Sequence, residues 1–135
     1  MRIFKTRYFS RFARRENIRD EKLVETILRA EKGGIDARLG GGLIKQRVAR
    51  TGSGRSGGYR TIIAWRAEDR AIFLYGFAKN ERDNIDETDL ERLRNAAREL
   101  LSFSERDIDA AVEAGKLTEI EDEKTLPQQD RRRRP

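Results

Sequence analysis

Lys45, Arg47, Arg60, Lys79 and Arg82 are the residues whose types and spacing could do chemistry. Lys45 and Arg47 are two apart, so a strand would point both to one face. Arg60 follows the Gly/Ser-rich stretch 50–58 at the start of a second apolar run. Lys79 and Arg82 stand just after a third, in "FAKNERDN". Antiparallel pairing of the three runs would gather all five on one patch, with Arg50 and Arg55 at its rim. Such a cluster holds backbone phosphates, with salt-dependent affinity. Tyr59, Tyr75 and Trp65 offer stacking faces near the cations, although Trp65 fits core filling better.

A cationic patch can also cleave RNA. Attack by the chain's own 2′-hydroxyl needs a base, a group that takes up the phosphorane's charge, and an acid for the leaving 5′-oxygen. Arginines suit the second role. A lysine set among other cations can serve the first, and Lys45 beside Arg47 has that neighbourhood. The chemistry is possible on these residues without being specific to RNA.

Other chemistries are narrowed by composition. The chain of 135 residues has no Cys and no His, so the usual thiolate nucleophile, imidazole base and zinc ligands are missing. No metal and no cofactor is called for. "GSGRSGG" is neither a dinucleotide-binding fingerprint nor a Walker loop. The N-terminus shows no apolar signal segment, and no apolar run is long enough to span a membrane. Together with the missing Cys, this fits a reducing cytoplasm.

The net charge of +6 is unevenly distributed. Residues 38–82 carry 10 basic and 3 acidic groups, net +7, whereas 83–125 carry 6 and 14, net −8. A basic middle with an acidic module behind it suits a polyanion site in the middle. The acidic segment could receive a basic partner element, or could keep its charges in water.

The elements that must position the patch follow from periodicity. "MRIFKT" reads as a first strand, and Thr6 as the cap of a short helix "RYFSRFARRE" that Asn17 ends. Asp20 caps a second helix, "EKLVETILRAEK", with an apolar stripe at Leu23, Ile27 and Ala30 and a stop at "GG" 33–34. "ARLGGG" reads as a loop. "LIKQRVA" (43–49), "YRTIIAWR" (59–66) and "AIFLYGFA" (71–78) are three strands, with "AEDR" as a tight turn. In the first of these, Ile44, Gln46 and Val48 face one way, and Leu43, Lys45, Arg47 and Ala49 the other. The third is apolar on both faces, which suits the sheet centre. Asp86 with Asp89, and Ser104 with Asp107, mark two further helices. "KLTEIE" suits a short edge strand, and 119–135 a disordered tail ending in four arginines. The sum is a single α+β domain over 1–118, of antiparallel strands with helices packed on one side.

"LGGGLIKQRVAR…GSGRSGGYRTIIAWR…AIFLYGFAKNERDNI" resembles the RelE/ParE superfamily of toxins in type II toxin–antitoxin modules, and most nearly its HigB-like RelE branch. The resemblance spans about residues 2–115. It implies a RelE-like fold and a cytoplasmic toxin that cleaves mRNA in the ribosomal A site and so inhibits translation. It also implies a cognate antitoxin partner, some of which carry a helix-turn-helix domain. Carried over, the family's basic positions fall on Lys45, Arg47, Arg60, Lys79 and Arg82. Two positions depart: RelE-type enzymes have an Arg where this chain has Asn80, and a Tyr where it has Asp86. ParE-like members poison gyrase instead, without nuclease activity. A non-toxic RNA- or protein-binding member of the fold is the third reading.

Overall fold

The computed structural model describes residues 1–49, 58–78 and 85–121. The described elements are β1(Arg2–Thr6), α1(Arg7–Arg15), α2(Asp20–Glu31), β2(Ala37–Gly40), β3(Leu43–Val48), β4(Tyr59–Arg66), β5(Arg70–Ala78), α3(Glu87–Ser102), α4(Glu105–Glu113) and β6(Leu117–Ile120). The strands form one sheet in the order β2-β3-β4-β5-β1-β6. β1 runs parallel to β5; the other described pairings are antiparallel.

Local signals account for most boundaries. The Phe9 N–H donates to Thr6 Oγ1 at 3.1 Å, which starts α1. Asn17 turns the chain out of it at φ 58°. The Asp89 N–H donates to Asp86 Oδ1 (2.9 Å), and Ser104 with Asp107 makes a full capping box. These bonds satisfy helix N–H groups that have no partner within the helix. α2 differs from expectation. Arg19 holds its cap position, and Asp20 is the first helical residue, its carboxylate on Lys5 Nζ at 2.8 Å. An acidic side chain in the first turn still suits the positive end of the helix.

The sheet is covered on both faces, not one. Phe9, Phe12, Leu23 and Ile27 pack with Ile44, Ile63, Trp65 and Phe73 on one side. Leu90, Ala97 and Ile108 pack with Phe4, Leu43, Ile62 and Ile72 on the other. That is why β4 and β5 are apolar on both faces: burial of both sides leaves no solvated face to alternate with.

"ARLGGG" is not all loop. Ala37–Gly40 pairs with β3 as an edge strand, and Gly40, Gly41 and Gly42 then turn the chain back with φ of 83°, 62° and 84°. A strand this short has too little alternation to be seen in the sequence. β6 pairs Ile3 with Ile120, so the folded region runs past 118. The tail from 122 onward lies outside the described residues.

Candidate nucleic-acid interface

Register fixes the basic strip. Arg47 stands opposite Arg60 in the β3–β4 ladder, and Lys45 opposite Ile62. Leu43 and Ile62 belong to the core beneath α3 and α4, so Lys45, Arg47 and Arg60 rise from that same face of the sheet. Arg47 is exposed; Lys45 and Arg60 are half-buried.

The backbone of Arg47 is clamped from the β2 side. Its N–H donates to Asp36 Oδ2 (2.8 Å), and its carbonyl accepts from Arg29 Nη2 (2.9 Å). Arg29 and Asp36 are themselves paired at 3.1 Å. This ion pair continues the work of β2, which starts only at Ala37 and reaches no further than Lys45. Because the Arg47 amide and carbonyl point toward β2, Arg47 and Arg60 form a non-hydrogen-bonded cross-strand pair. In such pairs the side chains lie closest, with Cα atoms about 4.5 Å apart.

Gln46, fully buried on the opposite face, fixes the approach to this strand. Its Oε1 accepts from the Asp36 N–H (2.6 Å), and its Nε2 donates to the Gly34 carbonyl (3.1 Å). The Thr61 hydroxyl donates to the Gln46 carbonyl (2.9 Å).

Aromatic rings flank the strip. Ile62 pairs with Tyr75 and Ile63 with Phe73, so Leu74 is an extra residue in β5. This bulge puts Leu74 and Tyr75 on the same face and re-aims the strand beyond it. Arg60 then stands opposite Phe77. Tyr75 lies 6.0 Å from Phe77 and stacks on Tyr8 of α1 at 5.4 Å, with 21° between ring planes. Tyr8 was not expected from the sequence. Its signal is its place on α1, one residue off the buried Phe9–Phe12 stripe.

The predicted residues do not all converge. Tyr59 leaves the interface: it is 3% exposed in the other core, with its hydroxyl donating to Glu16 Oε1 at 3.0 Å. The cause is parity, since Tyr59 precedes Arg60 in one strand and must face away from it. Trp65 is core on that face too. Arg50, Arg55, Lys79, Asn80 and Arg82 lie outside the described residues.

Charge pairing differs between the strip and the acidic helical segment. Arg2 holds Glu119, Glu105 and Asp109, and bonding to Glu119 above all keeps its guanidinium well above the ordinary range. Glu87 and then Glu91 raise Arg94 in the same direction. Much of the acidic segment is thus engaged with the protein's own arginines. Among the described residues, no carboxylate pairs with the side chains of Lys45, Arg47 or Arg60. The described residues contain no cluster of acidic side chains that could hold a metal ion. Nor is any described helix long and apolar enough to cross a membrane.

The arrangement sets two arginines at directly opposed positions, with Lys45 one pleat along and Tyr75 beside them, and arginines so placed can grip a phosphate. No curated protein matches the chain. A family model described as the RelE toxin of the RelE / RelB toxin–antitoxin system matches residues 1–120. The α+β sheet with its helical layers is the frame expected of that family, and the chain belongs to the RelE toxin family, with a cognate antitoxin as its implied partner.

Proposed function

We propose that this toxin is a ribosome-dependent mRNA endoribonuclease of HigB-like type, acting in the cytoplasm without metal or cofactor and silenced by its antitoxin. The observation that carries the reading is the directly opposed Arg47–Arg60 pair, free of carboxylates among the described residues. Two like charges held this close oppose folding. A polyanion restores the balance.

In the cleavage step, the ribose 2′-oxygen attacks the adjacent phosphorus. Its proton passes to a base, for which Lys45 is the candidate. Arg47 and Arg60 bond the equatorial oxygens as charge builds there, when such bonds are worth most. The bond from phosphorus to the 5′-oxygen breaks, and that oxygen takes a proton. A 2′,3′-cyclic phosphate and a 5′-hydroxyl result. Lys79 and Arg82 are candidates to complete the cationic site, and Arg50 and Arg55 to contact RNA at its rim. An antitoxin with a helix-turn-helix domain would suit the branch that the motifs resemble.

The test is primer extension on a reporter mRNA in a cell-free translation system, with and without the purified protein. New 5′ ends inside the reading frame, seen only while ribosomes translate, are expected. The Lys45→Ala/Arg60→Ala variant should be folded and unable to produce them. A folded double variant with full toxicity would sink the assignment of the site.

A further inference from the structure

β1 stops pairing with β5 at Lys5–Phe73, and α1 begins two residues later. The edge of β5 beyond that point is flanked by α1 instead of a strand. Tyr8 sits at this rim. It is 51% exposed, the one large apolar side chain so exposed among the described residues, and its ring lies on Tyr75.

Beside Tyr8, the outer face of α1 is cationic. Phe9, Phe12 and Ala13 are buried, which turns Arg7, Arg11, Arg14 and Arg15 outward on a helix with no acidic residue. Tyr8, Arg11 and Arg15 stand at i, i+3 and i+7, so they form one strip. Arg15 touches Glu16 only at 3.5 Å, with 68% of its side chain exposed. Among the described residues, Arg11 has no ion pair. The Tyr8–Tyr75 stack therefore joins two surfaces: the Arg47–Arg60 strip on the sheet and the arginine strip on α1.

We infer that single-stranded RNA held at Arg47 and Arg60 crosses the rim at Tyr8 and continues along α1. Tyr8 stacks on a base at the crossing, and Arg11 and Arg15 hold the phosphates beyond it. This rests on the RNA-binding reading above. From Tyr8 to Arg15 the helix rises ~10 Å, and the two strand spacings from β3 to β5 add about another 10 Å. A path of that length suits a strand of several nucleotides, in the manner of stacking platforms set in cationic grooves.

The experiment is fluorescence anisotropy of the full chain with a labelled 12-nucleotide single-stranded RNA, titrated at several salt concentrations. Arg11→Ala/Arg15→Ala should lower the slope of log affinity against log salt by ~1.4, since each neutralised phosphate on a single strand contributes about 0.7. Tyr8→Ala should weaken binding about tenfold at an unchanged slope, while Tyr8→Phe keeps the stack and the affinity. Thermal unfolding confirms that each variant is folded. If neither α1 variant changes affinity or slope while Arg47→Ala/Arg60→Ala weakens binding, the path along α1 is wrong and the sheet site stands. If the slope falls but Tyr8→Ala binds like the parent, the crossing at Tyr8 is overturned. If Arg47→Ala/Arg60→Ala leaves binding intact, the RNA-binding reading itself fails, and the path built on it.

Discussion

Arg47 and Arg60 face each other across the β3–β4 ladder as a non-hydrogen-bonded pair, the closest approach two cross-strand side chains can make. Opposed like charges destabilise a sheet by roughly 0.2–1 kcal/mol. The fold tolerates the pair because core packing on both faces of β4 fixes the register. Arg60→Ala is therefore expected to leave the melting temperature unchanged or slightly raised. Cleavage in the translation assay should fall by about 10²–10³-fold, the scale of losing one donor to a developing oxyanion. A variant that melts lower and cuts normally would mean that Arg60 serves the fold.

Asp36 is the next residue to test, because it stands in for a strand. Its carboxylate accepts the Arg47 N–H at 2.8 Å and holds Arg29, which in turn bonds the Arg47 carbonyl. Asp36→Ala leaves the Arg47 N–H to water and removes the ion pair that holds Arg29 on the Arg47 carbonyl, and should cost about 1–3 kcal/mol in urea denaturation. Faster hydrogen exchange should be confined to the Arg47 end of β3. Uniformly faster exchange across the sheet would show that Asp36 supports the domain as a whole.

The faces of β3 were legible because Lys45 and Arg47 alternate along "LIKQRVA" with Ile44, Gln46 and Val48, and parity follows from that alone. The same parity should have removed Tyr59 from the interface, since it neighbours Arg60 in one strand. The bulge at Leu74 was not legible. "AIFLYGFA" is apolar throughout, so an extra residue disturbs no pattern. Tyr75 thus had a stacking role in prospect but no neighbour. Its partner Tyr8 lies far away in sequence, on a helix whose stripe is set by Phe9 and Phe12. Helices on both faces were obscured for a related reason: the stripes of α1 and α3 say that each is amphipathic, not which side of the sheet each covers.

Gly76 links the two aromatic layers. It stands opposite Thr61, and a Cβ there would run into the Phe12 ring. Phe12 in turn packs edge-on against Tyr59 at 5.7 Å. Gly76→Ala should therefore cost ~1–3 kcal/mol by overpacking. It should also push α1 outward and disturb the Tyr8–Tyr75 stack, which near-ultraviolet circular dichroism can follow. A variant of parental stability with an unchanged aromatic spectrum would show that Phe12 can swing aside freely.

Arg70 is the clearest test of how α3 is anchored over the sheet. It is almost fully buried at 2% exposure, and its Nη1 donates to the carbonyls of Leu100 (3.0 Å) and Phe103 (2.8 Å). These carbonyls lie at the end of α3, where helices leave acceptors without internal partners and a cation is favoured. Arg70→Leu fits the space but takes the guanidinium donor from the Phe103 carbonyl and leaves the Leu100 carbonyl only the Phe103 N–H at 3.3 Å, at about 1–3 kcal/mol for an acceptor left unsatisfied. Arg70→Lys keeps a charge but loses the planar fork, so it should fall between the two. The expected pattern in denaturation is parent above Lys above Leu. If Arg70→Leu proved as stable as the parent, apolar packing beneath α3 would carry the anchoring without the guanidinium.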